Sequence, residues 1–194
     1  MGESRDLVAG DDGLRRCAWG AAPQVYREYH DTEWGRRMHG ARALFERLTL
    51  EAFQSGLSWL TILRKREAFR AAFHGFDPAT VAAYDDREVD RLLGDAGIVR
   101  NRAKIFATIA NARVAVDLGE DLDGWLWSFA PPPRPRPARM VDVPATTPES
   151  KAMAKALKAR DFRFVGPTTC YALMQAVGMV DDHLDGCHVA PRIG

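Results

Sequence analysis

The sequence lacks any hydrophobic run of the length that a membrane-spanning helix needs. About 20 consecutive apolar residues are required to cross a bilayer, and polar or charged side chains interrupt every apolar stretch before that length. Residues 1–13 contain four acidic side chains and no apolar segment of the kind found in secretory signals. We therefore expect a protein that has no membrane partner and is located in the cytoplasm.

Cysteine is also scarce, with three residues at positions 17, 170 and 187. An odd number of cysteines in a chain without a secretory signal argues against a disulfide framework. Burial or metal binding then remain as explanations. Cys170 lies in an apolar segment with helical spacing, so we expect it to pack in the core. Cys17 and Cys187 stand near opposite ends of the chain and are candidate metal ligands.

The sequence has no overall excess of positive charge, since its formal net charge is only +1. A nucleic-acid partner is not indicated by that value alone. The distribution is more informative, because residues 131–163 contain eight basic and three acidic side chains, a local excess of five. Smaller basic clusters occur at 64–66 and 100–104. Each cluster alone is typical of a solvated surface, whereas the three together fit a single phosphate-binding face.

Strand patterns are missing, because no stretch alternates with a period of two over the length of a strand. Apolar residues recur instead at helical spacing in six segments, namely 41–56, 59–73, 101–116, 122–129, 148–159 and 167–178. Asp77-Pro78 and Asp85-x-x-Glu88 have the residues of helix starts. The proline-rich segment 131–137 can form neither a helix nor a central strand, so we expect a surface crossing. With 194 residues, the chain is predicted to form one all-α domain.

Four possible metal ligands occur as two pairs near the two ends of the chain. Twelve residues separate Cys17 from His30, and His183 and Cys187 form an H-x3-C pair. Zinc prefers four nitrogen or sulfur ligands in a tetrahedron, and such a site has no open position. The spacing of the first pair is not that of a standard knuckle, so a buried cysteine near an unrelated surface histidine explains it equally well. His188 is a competing ligand.

A carboxylate interrupts the apolar face of the first predicted helix. Glu51 follows Leu44 by seven residues and Leu48 by three, so the three side chains share one face. A carboxylate on a core face is costly unless it is paired or binds a ligand. A hydrogen bond to a tyrosine or a backbone amide would account for it. Alternatively, Glu51 binds a ligand between aromatic walls such as Trp59, the combination that a flipped nucleobase requires.

The segment 92–105 contains a short turn between two predicted helices. Gly97 permits a positive φ in this turn, and the second helix begins with free N–H groups. Basic side chains lie close to that start, namely Arg100, Arg102 and Lys104. A helix start with these groups can bind a phosphate, and the arrangement over about 86–116 looks like a helix-hairpin-helix DNA module. Because glycine turns between helices are common, this motif alone does not establish DNA binding.

Four separated motifs occur in an order that identifies a known family. They are Tyr-His-Asp-Thr-Glu-Trp-Gly at 29–35, Gly-Leu-Ser-Trp at 56–59, Phe-Val-Gly-Pro-Thr at 164–168, and the terminal His-x3-Cys at 183–187. With these motifs the chain resembles the DNA-3-methyladenine glycosylase I family from Arg16 to Cys187. The resemblance implies a helix-hairpin-helix glycosylase fold over 16–194, whose zinc-binding ends are 16–35 and 180–188. Residues 1–15 precede the usual start of the family, and we expect them to form a disordered extension.

The resemblance also implies functional residues and an activity. It implies a structural zinc on Cys17, His30, His183 and Cys187. It implies a base pocket formed by Tyr29, Trp59 and Glu51, with Tyr26 and Trp34 alongside. The turn at Gly56 and Leu57 would be the wedge that fills the gap left by a flipped nucleotide. The implied activity is monofunctional hydrolysis of the 3-methyladenine N-glycosidic bond in double-stranded alkylated DNA, which releases free 3-methyladenine from a monomeric enzyme.

The chemistry of the implied substrate assigns Glu51 to recognition rather than to nucleophilic attack. Methylation at N3 makes adenine cationic, so the base is already a good leaving group and water suffices as the nucleophile. Asp117 has the spacing of the catalytic aspartate in related members of the superfamily, but its acidic surroundings and its absence from the resembled family argue against it. The alternatives are a zinc-stabilised helical module that binds DNA or protein without chemistry, and a glycosylase that has drifted to another alkylated base, of which 3-methylguanine is the nearest.

Overall fold

A computed structural model describes residues 6–190 of the chain, and within this range the fold is mostly helical. The α-helices are α1 (Gln24–Thr32), α2 (Ala41–Gln54), α3 (Trp59–Ala72), α4 (Pro78–Ala82), α5 (Asp86–Gly94), α6 (Arg102–Leu118), α7 (Asp121–Trp127), α8 (Pro148–Ala159) and α9 (Pro167–Ala176). Short 3-10 helices span Ala18–Gly20, His74–Phe76 and Met140–Asp142. The predicted helical segments are confirmed to within a few residues at their ends, whereas α1 was not among them. No helix in the described range is long and apolar enough to cross a bilayer.

The helix starts depend on side chains that accept hydrogen bonds from free backbone amides. Asp77 caps α4 by accepting from the Thr80 amide at 2.9 Å. Asp85 Oδ1 accepts from the amides of Arg87 and Glu88 at 3.0 and 3.2 Å, so both predicted starts are confirmed. In a capping box the Glu88 carboxylate would also accept from the backbone amide of Asp85. Here it accepts from the Arg91 guanidinium instead.

The expectation of a disordered extension is wrong for residues 6–15. Strand β1 (Leu7–Ala9) pairs antiparallel with β2 (Arg15–Cys17), with Leu7 opposite Cys17. The strands are too short to produce a periodic pattern, and tertiary contacts hold them in place. The buried guanidinium of Arg16 binds Asp12 at 2.7 Å and Asp31 at 2.8 Å. Residues 1–5 lie outside the described part of the chain.

Helix α2 lies at the centre of the main hydrophobic core, where it contacts α3, α6 and α9. Its side chains are buried almost continuously from Leu44 to Phe53. Phe53 packs 4.8 Å from Phe69 between ring centroids, and Cys170 of α9 is fully buried in the same core, as predicted. A carboxylate on α2 is therefore held in the interior of the protein. A second, smaller cluster joins Cys17 to Leu184 and Cys187 near the two chain ends.

The proline-rich segment 131–137 forms no helix or strand and crosses the surface between α7 and the turn at Met140–Asp142. Two of its arginines anchor it to the chain after α9. Arg134 donates to Asp182 at 2.7 Å, and Arg136 donates to Asp181 at 2.9 Å. Because these two guanidinium groups are paired with carboxylates, they contribute less to a phosphate-binding face than the sequence suggested.

Candidate functional site

A cavity of about 290 Å³ opens between α1, the C-terminal half of α2, the start of α3 and the chain after α9. This volume is at the lower end of the range for small-molecule pockets. Its walls include five aromatic side chains and four polar ones, namely Trp19, Tyr26, Tyr29, Trp34, Trp59, Glu51, Gln54, Gln175 and Asp182. All five pocket residues that the sequence and the resemblance indicated are therefore brought together. Trp19, Gln54, Gln175 and Asp182 were not anticipated.

Aromatic rings form most of the cavity wall. The rings of Tyr29 and Trp59 lie 5.5 Å apart between centroids and are inclined at 46°. Trp19 contacts Tyr26 and Trp34 edge-on, at 5.8 and 4.8 Å. The indole nitrogen of Trp59 is buried and has no hydrogen-bond partner among the described residues. Such a wall offers stacking surfaces and one free N–H group to a planar ligand.

Glu51 lies on the cavity wall with only 5% of its surface exposed. Burial raises the pKa of its carboxyl group to about 7, and the positive charge of Arg47 opposes part of this rise. Within residues 6–190, no hydrogen bond contributes to the shift. A carboxylate in this state gains from a cationic ligand, because the ligand's charge replaces the solvation that burial removes.

Arg47, which the sequence analysis did not single out, is a buried cation beside Glu51. Its guanidinium donates to the Tyr29 hydroxyl at 3.2 Å and lies 3.5 Å from the Glu33 carboxylate. Glu33 is also bound by Arg66 through two hydrogen bonds of 2.5 and 2.8 Å. The criterion that identified Glu51, a charge at a helical position facing the core, applies equally to Arg47 and would have found it.

Asp182 is a second carboxylate at the cavity and is 1% exposed. It accepts hydrogen bonds from the Tyr171 hydroxyl at 2.5 Å, from Arg134 at 2.7 Å and from the Gln175 amide at 2.9 Å. Its oxygens are thus occupied by protein donors, unlike those of Glu51. Because a carboxylate only accepts, the NH2 group of Gln175 must face Asp182.

The candidate metal ligands meet beside this cavity. The donor atoms of Cys17, His30 and Cys187 all lie within 4.8 Å of one another, and the three residues are buried. The ring of His183 lies 4.8 Å from that of His30 between centroids, but His183 does not belong to this closest group. The competing residue His188 contacts the Asp31 carboxylate at 3.0 Å, and His30, Asp31 and His188 form a second group whose donor atoms lie within 4.8 Å of one another.

The surroundings of these residues fit a zinc ion. Nδ1 of His30 lies 2.7 Å from Asp31, and Nδ1 of His183 lies 2.9 Å from Asp181. Both imidazoles thus have the carboxylate–histidine arrangement of zinc sites. Nε2 of His30 faces Cys187 Sγ at 3.6 Å, whereas Nε2 of His183 lies 3.4 Å from the His30 carbonyl oxygen. The hydrogen bond between the two sulfurs lowers the pKa of Cys187 to about 3 and raises that of Cys17. Thiolate and imidazole donors are the set that zinc prefers.

The turn between α2 and α3 places an apolar side chain next to the cavity. Gly56 has a φ of +81°, a conformation that side chains other than glycine rarely adopt. Leu57 follows it and is 42% exposed, although it is apolar. Gln54 and Trp59 flank this turn and both contact the cavity. The position fits a residue that inserts into a gap beside a flipped base.

The hairpin between α5 and α6 differs in detail from the prediction. Gly97 does not have a positive φ; a Cβ atom there would lie 3.0 Å from Cβ of Ala68, so glycine permits a close approach. Its amide donates to Asp95 at 2.7 Å and is not free for a phosphate. Arg100 and Arg102 are exposed, as a phosphate contact requires. The phosphate role predicted for Gly97 itself is therefore wrong.

The prediction that Lys104 contacts phosphates is also wrong. Its side chain turns inward, is 6% exposed, and donates to the carbonyls of Phe53 and Ser55 at 2.9 and 2.5 Å. The ammonium group binds carbonyls at the C-terminal end of α2, where the helix dipole favours a cation. Lys104 thereby ties α6 to the turn that contains Leu57. Asp117 is exposed near the end of α6 and is not part of the cavity wall.

Known proteins share both the sequence and the fold of this chain. The family model described as methyladenine glycosylase matches residues 19–190. DNA-3-methyladenine glycosylase 1 of Escherichia coli (strain K12) is 45% identical over 183 residues, which cover 92% of this chain and 98% of the relative. A crystal structure of 3-methyladenine DNA glycosylase I matches with a TM-score of 0.87 and 47% identity over 91% of this chain and 100% of that one.

A further match is the structure of a 3-methyladenine DNA glycosylase I variant in complex with 3-methyladenine. It has a TM-score of 0.87 and 33% identity, and the match covers 92% of this chain and 99% of that one. The family resemblance is thus confirmed. This chain belongs to the methyladenine glycosylase family.

Proposed function

We propose that this protein is a DNA glycosylase that hydrolyses the N-glycosidic bond of 3-methyladenine in alkylated DNA, the first step of base excision repair. The observation that carries the proposal is the aromatic cavity with a buried carboxylate, Glu51, on its wall that makes no hydrogen bond within residues 6–190. The named activity of the Escherichia coli relative and the 3-methyladenine complex of a similar structure support it. A binding module without chemistry would not need to bury a carboxylate at this cost.

The cavity residues act by binding the methylated base of the intact nucleotide, while it is still cationic, better than the normal base; the base then leaves as neutral 3-methyladenine, because the electron pair of the N-glycosidic bond stays with it. Methylation at N3 gives the base a positive charge, and Glu51 supplies the matching negative charge in a site of low dielectric. The ring of Trp59 stacks on the flipped base, and Tyr29, inclined at 46° to it, faces the edge of the base with its hydroxyl. Neutral adenine gains nothing from the charge of Glu51, so the carboxylate favours the alkylated base. Water, rather than a protein side chain, is the nucleophile.

A structural zinc completes the proposal. Cys17, His30, His183 and Cys187 would hold the ion, and four protein ligands would leave no position for substrate or water. The proximity of three of the donors and the two histidine–carboxylate contacts support this set. A closed site contributes folding energy rather than a catalytic step. Its effect here is to join the N-terminal segment to the chain after α9.

Double-stranded DNA would bind across the mouth of the cavity. Arg100 and Arg102 are exposed at the start of α6, where free amides and the helix dipole favour a phosphate. Gly56 and Leu57 would enter the duplex where the nucleotide has left the stack. We expect the affinity for DNA to fall steeply with salt, because each phosphate contact releases counterions.

The test measures excision from methylated DNA, and competition by free 3-methyladenine and by adenine, in wild type and two variants. Glu51→Gln should lose most of its preference for the methylated base, because the amide has no charge. Trp59→Ala should bind the base more weakly by roughly 1–3 kcal/mol, the usual contribution of aromatic stacking. The exposed Glu120 provides the control Glu120→Gln, which should behave as wild type. Unchanged binding and excision in both cavity variants would place the base site elsewhere.

A further inference from the structure

Arg47 is a buried charged group behind the cavity wall, in contact with Tyr29 and Trp59, that the proposed mechanism does not use. It is 3% exposed, so its guanidinium has lost nearly all contact with water. A buried cation is costly unless other groups compensate for its desolvation. Here the Tyr29 hydroxyl accepts from it at 3.2 Å, and the rings of Tyr29 and Trp59 lie 5.3 and 5.5 Å from its central carbon. The guanidinium is therefore fixed between the two main aromatic walls.

This contact determines what the Tyr29 hydroxyl can do. A guanidinium has no acceptor atoms, so the hydroxyl oxygen must accept from Arg47. The hydroxyl hydrogen is then left for a different acceptor. Because Tyr29 forms part of the cavity wall, that hydrogen is available to an unprotonated ring nitrogen of a bound purine. Without Arg47, the same hydroxyl could turn and accept instead.

Arg47 also stands one helical turn before Glu51, so the two side chains are neighbours on α2. Burial raises the pKa of Glu51 to about 7, and the charge of Arg47 holds it below a still higher value. Other charged groups near this wall are neutralised locally. Glu33 pairs with Arg66 of α3 at 2.5 Å and lies 3.5 Å from Arg47 itself, and Asp182 after α9 pairs with Arg134. Lys104 of α6 is bound to backbone carbonyls, and Tyr29 of α1 is uncharged because burial raises its pKa further above neutrality.

We propose that Arg47 is a positioning residue of the base site, which orients the Tyr29 hydroxyl as a donor and supplies the countercharge for an anionic Glu51. The inference rests on the proposed function, since it explains how an apolar cavity keeps a carboxylate ready for a cationic purine. According to this inference, Arg47 contributes to the preference of the cavity for a cationic ligand over a neutral one. With a neutral side chain at this position, Glu51 would be mostly protonated at neutral pH. It would then not distinguish a cationic purine from a neutral one.

The experiment uses 3,9-dimethyladeninium, a permanent cation that has a methyl group where the nucleotide has its sugar. Its affinity is measured by tryptophan fluorescence between pH 5.5 and 9.5, with neutral 9-methyladenine as the reference. In wild type, cation binding should weaken as the pH falls through about 7, because Glu51 becomes protonated. Arg47→Met should shift this midpoint upward by about one unit, which weakens binding about threefold near pH 7.5 and by close to tenfold at pH 5.5.

At pH 9.5 Glu51 is ionised in both proteins, so any loss of affinity that remains in Arg47→Met comes from the released Tyr29 hydroxyl. The ratio of wild-type to variant affinity should therefore be smaller at pH 9.5 than below pH 7. A purely structural role would instead weaken binding equally at every pH, and that result would overturn the proposal. Arg47→Lys keeps the charge and should keep the wild-type midpoint. Arg47→Gln is neutral but still donates; it should show the same upward shift and replaces Arg47→Met if that variant does not fold.

The outcomes separate this inference from the proposed function. If wild type binds 9-methyladenine as tightly as the cation at pH 8, the charge-selective pocket itself is wrong. If wild type prefers the cation and Arg47→Met and Arg47→Gln retain its midpoint, only the role of Arg47 is refuted.

Discussion

At the scale of single residues, the site depends on two opposite charges that α2 buries, Glu51 at 5% and Arg47 at 3% exposure. Glu51 could be identified from the sequence because a carboxylate at a core-facing helical position needs a reason. Arg47 satisfies the same criterion on the same helix, but an arginine is usually explained by a long stem that carries its charge to the surface. Lys104 was predicted to be exposed because its neighbours in the sequence are exposed basic residues. Its ammonium group is instead bound to backbone carbonyls in the interior. Sequence shows which residue is charged and not where a flexible side chain ends.

The raised pKa of Glu51 predicts a dependence of stability on pH. The folded pKa of about 7 lies above the ordinary value of 4.5, so the folded state holds a proton over a range where the unfolded state has lost it. The contribution of this group is therefore complete below pH 4.5 and lost as pH rises through about 7. Glu51→Gln cannot release a proton, so its stability does not fall in this way. We expect the free energy of unfolding of the variant, relative to that of wild type, to increase by up to about 3 kcal/mol between pH 5 and pH 8.

Urea unfolding of both proteins at the two pH values measures that gain, since all other titrating groups cancel in the comparison. Glu120→Gln, at an exposed position, is the matched control and should show no pH-dependent gain. If the free energies of unfolding of Glu51→Gln and wild type differed by the same amount at pH 5 and at pH 8, the raised pKa of Glu51 would be contradicted.

At the scale of elements, periodicity and capping residues were sufficient for the helices of the central part of the chain. Segments with apolar residues at helical spacing became α2, α3, α6, α8 and α9 with nearly the predicted bounds. Helix α1 was missed because Tyr26, Tyr29 and His30 are amphipathic and were interpreted only as site residues. The strands β1 and β2 have three residues each, too few for any pattern. They form because Arg16 and Leu7 have tertiary partners, which local sequence does not reveal.

The bond between Lys104 and the end of α2 predicts a coupling between two elements that we propose to contact DNA. Lys104→Met removes two charge-assisted hydrogen bonds to the turn that presents Leu57, each typically contributing about 1.5–3 kcal/mol. We expect the turn to lose its fixed position. The single-turnover rate of excision from duplex DNA should then fall by about tenfold or more, while binding of free 3-methyladenine stays close to wild type.

Arg102→Glu is the contrasting variant, since its side chain is exposed on the same helix. It should weaken DNA binding and reduce the salt dependence, with little change in the rate once the enzyme is saturated. If Lys104→Met excised the base at the wild-type rate, the hydrogen bonds of Lys104 to the end of α2 would not be needed for base flipping.

At the scale of the whole molecule, the site combines residues from both ends of the sequence. The cavity wall includes Trp19 and Tyr26 from the first part of the chain and Gln175 and Asp182 from the last. No pattern of spacing within a sequence gives the distance between such segments. The metal ligands suggested that the ends meet, and the family resemblance supplied the rest of the pocket. The cytoplasmic location and the monomeric state stay predictions of the sequence.

The last prediction concerns the metal that would join the two ends. We expect one zinc per chain, measured by elemental analysis of protein purified without chelators. Cys187→Ser and His183→Ala should lose the metal, because Cys187 lies against Cys17 and His30 and both histidines have their Nδ1 atoms at carboxylates. His188→Ala is the matched control, since His188 is close by but binds Asp31. It should keep its full zinc content. If His188→Ala lost the zinc and His183→Ala kept it, His188 would be the ligand and His183 would not.

Loss of zinc should affect stability before it affects chemistry, because a closed site stabilises the folded chain. A ligand present at 100 times its Kd stabilises by about 2.7 kcal/mol, which corresponds to about 5–11 °C in the Tm of a chain of this size. Chelator treatment of wild type should therefore lower the Tm by at least that amount and leave the Tm of Cys187→Ser unchanged. The residual folded fraction at low temperature should still bind free 3-methyladenine, since no metal ligand forms part of the cavity wall. A chelator that abolished base binding without lowering the Tm would instead place the metal in the reaction itself.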